Sequence, residues 1–143
     1  MILLDTNVIS ELMKAQPDAH VLGWLDRQSR GDIFTSAITQ AEIELGIALL
    51  PKGRRRDALA NAAHAMFTED FAGAVLPFDE RAAGHYAILV AHRTRIGRPI
   101  TVEDAQIAAI AVNHSLVLAT RNLKDFQEIT EIKLIDPWQP EAS

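Results

Sequence analysis

The sequence predicts an α/β fold in which a central, mostly parallel β-sheet is covered by helices on both faces. Short apolar runs that are typical of buried strands alternate with longer segments of helical periodicity along the chain. The length of 143 residues suits one domain, and the 48% of apolar residues suffices for a single core. No repeat, low-complexity segment or linker interrupts the pattern. We therefore expect one domain over residues 1–143.

Five apolar runs are predicted to form the strands. The first, Ile2–Leu4, ends at Asp5, Thr6 and Asn7, which are residue types that cap helices well, so a helix should follow at once. A cap from Thr6 or Asn7 would free Asp5 for another role. The other strands are expected at residues 33–35, 74–78, 116–119 and 133–135.

Six segments of helical periodicity lie between these strands. Pro17 suits a first helical turn, and Pro51 closes a helix. A short turn is expected at residues 122–126, and Pro137 and Pro140 lead into a tail. The predicted helices cover residues 8–14, 17–28, 38–50, 54–71, 80–96 and 102–114.

Composition excludes several classes of site. The chain has no cysteine, so disulfides, thiolate metal sites and thiol catalysis are excluded. No apolar run approaches the roughly 20 residues that span a membrane, and the first residues do not resemble a signal peptide. Gly-rich phosphate loops, a Gly-x-Ser-x-Gly elbow and paired histidines at metal-ligand spacing are also missing from the sequence. We expect a soluble, cytoplasmic protein with no membrane partner.

The formal net charge of −5 argues against non-specific binding of nucleic acid. Acidic residues that bind a divalent cation lose their negative field, which weakens this objection. The basic residues also form two clusters, at positions 52–56 and 93–98. Each cluster could contact a nucleic-acid backbone or could be an ordinary solvated surface.

Polar side chains follow the first and fourth predicted strands. Asp5 comes directly after the first strand, and Thr120, Asn122 and Asp125 come after the fourth. Ligands of such sheets bind beyond the carboxyl ends of the strands, where the winding direction reverses. The alternative is structural, because Asp and Asn also cap helices and build turns.

Glu42 is the acidic residue whose position on a helix is most informative. Glu44 lies on the opposite, polar side of the predicted helix at residues 38–50. A carboxylate in an apolar face is costly unless it is paired, so Glu42 is expected to bind a metal or act as a base, or else to pair with an arginine or lie at the rim of the face. At 100° per residue, its neighbours within about 60° are Ile38, Leu45, Gly46 and Leu49.

Asp104 fits two roles. Thr101 and Asp104 match the pattern of a capping box at the start of a helix. Asp104 also lies on the same stripe as Ile107 and Ala108, which should pack inward, whereas Glu103 should face solvent. The sequence leaves both roles open.

These acidic residues together suggest a cation site. Two carboxylates about 4 Å apart repel by roughly 4 kcal/mol at an effective dielectric near 20, so a cluster traps a proton or binds a cation. Oxygen ligands without histidine or cysteine favour Mg²⁺ or Mn²⁺ over zinc.

Four segments resemble PIN-domain ribonucleases, in particular the VapC and FitB-like toxins of bacterial toxin–antitoxin systems. The resemblance runs in order over almost the whole chain. The segments are MILLDTNVISE (residues 1–11), TQAEIELG (39–46), DAQIAA (104–109) and ATRNLKDF (119–126).

The resemblance implies an α/β/α sandwich and Mg²⁺- or Mn²⁺-dependent cleavage of RNA. It also implies a homodimer and an antitoxin partner that blocks the site. It maps the acidic metal site onto Asp5, Glu42 and Asp104. Family members often carry a fourth Asp at the position of Asn122, so the resemblance implies either a weaker second metal site here or help from Asp125, with a hydroxyl from Thr120.

Two other functions remain open from the sequence. A haloacid-dehalogenase-type phosphatase also places Asp after its first strand, but it needs a second acid where Asn7 stands. A receiver-like or other metal-binding module would use the acidic pocket without turnover. A phosphatase assay and an RNA cleavage assay separate these from a nuclease.

Overall fold

The computed structural model describes residues 1–139, in which five strands form one sheet between two helical layers. The strand order is β3-β2-β1-β4-β5, and every neighbouring pair is parallel. The expected α/β/α sandwich is confirmed, and its sheet is fully parallel. The expected tail from Pro140 lies outside the described residues. The strands are β1 (Ile2–Leu4), β2 (Ile33–Ser36), β3 (Val75–Leu76), β4 (Val117–Ala119) and β5 (Leu134–Ile135).

The winding direction of the sheet reverses at β1. The chain adds β2 and β3 on one side of β1, and it later adds β4 and β5 on the other. Leu4 pairs with Ala119, and the Asp5 N–H continues this ladder with a 2.9 Å bond to the Ala119 carbonyl. A crevice at the carboxyl ends of β1 and β4 is therefore where a ligand is expected in this class of fold.

Residues 1–139 contain seven α-helices, most of which begin at a side chain that accepts a backbone N–H. These N-caps are Asp5, Asp18, Ser36, Asp79 and Thr101. The helices are α1 (Thr6–Leu12), α2 (Ala19–Asp26), α3 (Ala37–Ala48), α4 (Arg54–Ala65), α5 (Glu80–Arg95), α6 (Val102–His114) and α7 (Leu123–Phe126).

Two predicted segments differ from the structure. The single helix expected over residues 54–71 ends as α4, and a π-helix follows at Met66–Asp70. The Phe71 N–H bonds to the Met66 carbonyl at 2.9 Å, and this wider turn accompanies the burial of both side chains. The turn expected at residues 122–126 contains the short helix α7, which buries Phe126.

The core lies on both faces of the sheet. Leu3 and Leu118 face the layer of α5, α6 and α7, whereas Leu4 and Ala119 face the layer of α1, α2 and α4. This alternation follows from the two-residue period of a strand, and it explains why the strands are apolar throughout. Among residues 1–139, every helix is too short or too polar to cross a membrane.

Candidate active site

Asp5 lies at the carboxyl end of β1 and is only 3% exposed. Three groups donate hydrogen bonds to its carboxylate. The Thr6 N–H reaches Oδ1 at 2.8 Å, whereas the Thr120 hydroxyl at 2.8 Å and the Asn7 amide at 3.3 Å both reach Oδ2. Of the caps that the sequence allowed for α1, the structure has Asp5 and not Thr6 or Asn7, because the extended backbone of Asp5 places its carboxylate over the first turn.

The Asp5 carboxyl is electrostatically poised to take up a positive charge. Burial raises its pKa from the ordinary value of 3.8 to about 6, although the bonds from Thr120 and Thr6 act in the opposite direction. The negative charges of Asp104 and Glu42 raise this pKa further. Asp104 and Glu42 are therefore near enough for their charges to act on Asp5.

Glu42 is joined to Asp5 through Thr6. The Thr6 hydroxyl donates to Glu42 Oε1 at 2.8 Å and lies 3.0 Å from the Thr39 hydroxyl. Thr39 is fully buried, and its N–H donates to the Ser36 hydroxyl oxygen that caps α3. A chain of hydroxyl groups thus links the ends of β1 and β2 to Glu42, which is half-buried at the edge of the crevice.

The prediction that Glu42 lies within the buried apolar stripe of α3 is wrong. Its apolar neighbours Leu45 and Leu49 are 60% and 76% exposed, so they do not form the buried stripe of α3. The helix buries Thr39 and Ile43 instead, about a quarter turn away. Because α3 is apolar on more than one side, periodicity alone did not identify its inner face.

Asp104 lies in the first turn of α6, where the structure shows one half of the expected capping box. Its N–H donates to the Thr101 hydroxyl oxygen at 3.3 Å, so Thr101 caps α6. Its side chain is half-buried, while Ile107 is buried and Glu103 is exposed, as predicted. Burial raises the pKa of Asp104, and the charges of Asp125 and Glu103 raise it further, against a lowering hydrogen bond from Thr101.

The residues after β4 contribute in different ways. Thr120 is fully buried and donates to Asp5. Asn122 is exposed, and its backbone N–H donates to the Thr120 hydroxyl oxygen at 3.0 Å. Asp125 is also exposed, but its charge acts on Asp104. The structure therefore brings Thr120 directly to Asp5, and it places Asp125 on the side of Asp104.

Asn7 is a site residue that the sequence treated only as a helix cap. Its amide nitrogen donates to Asp5 at 3.3 Å and to the Thr120 hydroxyl oxygen at 3.2 Å. Its carbonyl oxygen accepts the Arg121 N–H at 3.2 Å. Asn7 thus joins the ends of β1 and β4 across the crevice. Ser36 and Thr39 were also missed, although they follow the end of β2 as Asp5 follows β1.

The donor set fits a hard divalent cation. All of its polar side chains offer oxygen ligands, which are the ligands that such an ion prefers. Within residues 1–139, no three His, Cys, Asp or Glu side chains are grouped closely enough to hold an ion together. Mg²⁺ usually binds through one or two carboxylates and keeps several waters, so a site built on Asp5 does not need all three acids as ligands.

Comparison with known proteins places this geometry in a family. The chain is 45% identical to VapC ribonuclease Y4jK of Sinorhizobium fredii over 98% of its own length and 99% of that protein. It is 42% identical to toxin FitB of Neisseria gonorrhoeae over 96% of its own length and 99% of that protein.

A solved structure and a family model agree with these relatives. The structure of FitAB bound to a DNA fragment matches with a TM-score of 0.90 and 41% identity, covering 99% of each chain. The PIN domain family model matches residues 2–132, which include every site residue described above. The chain therefore belongs to the PIN domain family.

Proposed function

We propose that the chain is a divalent-metal-dependent endoribonuclease and the toxin of a toxin–antitoxin pair. The observation that carries the proposal is the buried Asp5 carboxylate at the switch point of the sheet, electrostatically coupled to Glu42 and Asp104. The relatives named a ribonuclease and a toxin share this chain over nearly its full length, which supports the same activity here.

Each site residue has its own role in the proposed phosphodiester hydrolysis. Asp5, together with Glu42 or Asp104, would hold Mg²⁺ or Mn²⁺, with water as the other ligands and with support from Asp125 and Thr120. A bound divalent ion supplies an acidic water and stabilises charge on the phosphate in flight. Glu42 accepts the proton of the attacking water. Thr120 and Asn7 keep Asp5 oriented, because both donate to its Oδ2 atom. Asn122 supports Thr120 through its backbone N–H.

The basic residues suited to the RNA backbone are fewer than the sequence suggested. Arg93 is buried, and Arg98 pairs with Glu128 at 2.8 Å. The exposed Arg54 and Arg55 at the start of α4 are available to contact phosphates.

Partners follow from the same comparison. We propose a cognate antitoxin that covers the acidic crevice, and a homodimer or toxin–antitoxin hetero-oligomer, because FitAB and similar complexes contain chains of this fold. Exposed leucines on α3 offer apolar area for such contacts. An RNA substrate and a chain without cysteine suit the cytoplasm.

Cleavage of a structured RNA by the purified protein tests the proposal. We expect cleavage with Mn²⁺, none with EDTA, and a loss of at least about 100-fold in Asp5→Asn, because this substitution removes a charged ligand. Asp26→Asn, at an exposed position on α2, is the matched control and should retain full activity. Cleavage by Asp5→Asn in EDTA at the wild-type rate would exclude this mechanism.

Phosphatase activity is the alternative that the structure disfavours. Asn7 occupies the position where a haloacid-dehalogenase-type enzyme needs its second acid, and its amide is bonded to Asp5 and Thr120. Hydrolysis of p-nitrophenyl phosphate without RNA cleavage would favour that alternative. Metal binding without any turnover would favour a binding module.

A further inference from the structure

Arg93 is a buried cation that the proposed chemistry does not use. It lies in the last turn of α5 and is 5% exposed. Within residues 1–139 the two ion pairs are Lys14 with Glu11 and Arg98 with Glu128, so no carboxylate pairs with Arg93 there. A buried guanidinium is costly unless other polar groups replace its water. Its partners therefore indicate why the chain keeps it.

Both partners of the Arg93 guanidinium are backbone carbonyls. Its Nε–H donates to the Arg98 carbonyl at 2.7 Å, and its Nη1–H donates to the Asp125 carbonyl at 2.9 Å. The Arg98 N–H returns a bond of 2.9 Å to the Arg93 carbonyl, and Gly97 permits this turn with a φ of 72°. Two donors in a fixed plane are what distinguish arginine from lysine at such a position.

The two segments that Arg93 joins carry acidic residues of the site. The loop that contains Arg98 enters α6 at Thr101, and Asp104 lies in the first turn of that helix. The other segment is α7, which carries Asp125. The Asp125 charge acts on Asp104, so the two carboxylates are electrostatic neighbours. Helix α5 itself supplies none of the predicted site residues.

We propose that Arg93 is a positioning residue that clamps α7 against the loop leading to Asp104, and thereby sets the spacing of Asp104 and Asp125. The inference rests on the proposed function, since the spacing matters only if these carboxylates serve a metal site. Phe126 anchors α7 in the core, but a four-residue helix has too few internal hydrogen bonds to fix the position of the Asp125 backbone as well. Without the guanidinium, the backbone at Asp125 shifts and Asp125 no longer supports the ion.

The affinity for Mn²⁺ alone, measured by calorimetry on the full chain without RNA, tests the clamp. Arg93→Met keeps the apolar stem but removes both donors, and we expect Mn²⁺ to bind about 10-fold more weakly, as for other supporting residues around metal ligands. Arg93→Lys should lie between this variant and the wild type. Arg95→Met, at an exposed position on α5, should bind as the wild type does.

Two further variants separate positioning from general loss of stability. Val21→Ala destabilises the core on the other face of the sheet and should leave Mn²⁺ affinity unchanged. Asp125→Asn should weaken binding, and the double variant Arg93→Met/Asp125→Asn should bind no more weakly than Asp125→Asn alone, because Arg93 acts through Asp125. If Arg93→Met does not fold, the pair Arg93→Lys and Arg93→Lys/Asp125→Asn makes the same comparison.

The outcomes distinguish this inference from the proposed function. If the wild type binds Mn²⁺ and cleaves RNA while the Arg93 variants bind Mn²⁺ equally well, the clamp is refuted and the nuclease stands. Additive losses in the double variant would also refute action through Asp125. If the wild type neither binds Mn²⁺ nor cleaves RNA, the proposed function fails and the inference fails with it.

Discussion

Asp5 combines two roles with opposite effects on stability. As an N-cap it satisfies the Thr6 N–H, which contributes about 1 kcal/mol to the start of α1. As a buried charge beside two other acids it costs more than this when no cation is present. The site thus lowers the stability of the metal-free chain, and the same carboxylate allows the chain to bind a metal.

The pH dependence of stability follows from the Asp5 pKa. The folded chain holds this proton up to about pH 6, whereas the unfolded chain releases it near 3.8. The protonated Asp5 carboxyl therefore contributes to the free energy of unfolding in full below pH 3.8. This contribution is lost as the pH rises through 6, and the loss is about 3 kcal/mol.

Asp5→Asn should therefore gain stability relative to the wild type as the pH rises. In urea unfolding with EDTA, we expect the difference in unfolding free energy to shift by about 2–3 kcal/mol in favour of the variant between pH 4 and pH 7. Asp26→Asn, at an exposed position on α2, is the matched control for this substitution. A pH-independent difference for Asp5→Asn would contradict the burial of an uncompensated charge.

The sequence predicted individual site residues where a residue type and its position in the chain determine the role. Asp5 and Thr120 directly follow predicted strands, so their meeting at one edge of the sheet could be expected. Asn7 could not be recognised, because an Asn after a strand also caps helices and its bonds join residues more than 110 positions apart.

At the scale of elements, the alternation of strands and helices was easier to predict than which face of each helix points inward. The five strands and the helices from α2 to α6 occur close to their predicted positions, because each has an apolar pattern with end signals. The inner face of α3 was assigned wrongly, since Leu45 and Leu49 extend its apolar surface into solvent. That exposed apolar surface does not belong to the core and is available for contact with a partner.

The exposed face of α3 should therefore affect association without affecting the fold. Leu49→Glu replaces a side chain that is 76% exposed, so we expect the unfolding free energy of the monomer to change by less than about 0.5 kcal/mol. Light scattering after size-exclusion chromatography should show a shift from dimer to monomer.

Leu22→Glu on α2 is the matched control for this face. Leu22 is 38% exposed and lies on a different helix, so this variant should remain dimeric. Equal molar masses for wild type, Leu22→Glu and Leu49→Glu would show that α3 is not the contact between copies.

For the whole molecule, the sheet topology explains how distant segments reach one crevice. Because β1 is central and the chain winds away from it in both directions, the ends of β1, β2 and β4 meet side by side. Apolar packing on both faces of the sheet holds these ends, while the polar side chains beyond them satisfy one another by hydrogen bonds. Cation binding should therefore stabilise the molecule as a whole, since the unfolded chain cannot assemble these oxygens.

Mn²⁺ should raise the unfolding free energy of the wild type, because it binds the folded chain and not the unfolded one. At a concentration 100 times the dissociation constant, linkage gives about 2.7 kcal/mol, measured by urea unfolding at pH 7 with and without the ion. Asp5→Asn should gain far less, because it lacks the charged ligand at the centre of the site. The same measurement with Ca²⁺ at equal ionic strength tests whether the site selects for ion size, because Ca²⁺ is larger and accepts less regular coordination. Equal stabilisation of wild type and Asp5→Asn by Mn²⁺ would mean that the ion binds elsewhere, and the assignment of Asp5 as a metal ligand would then be wrong.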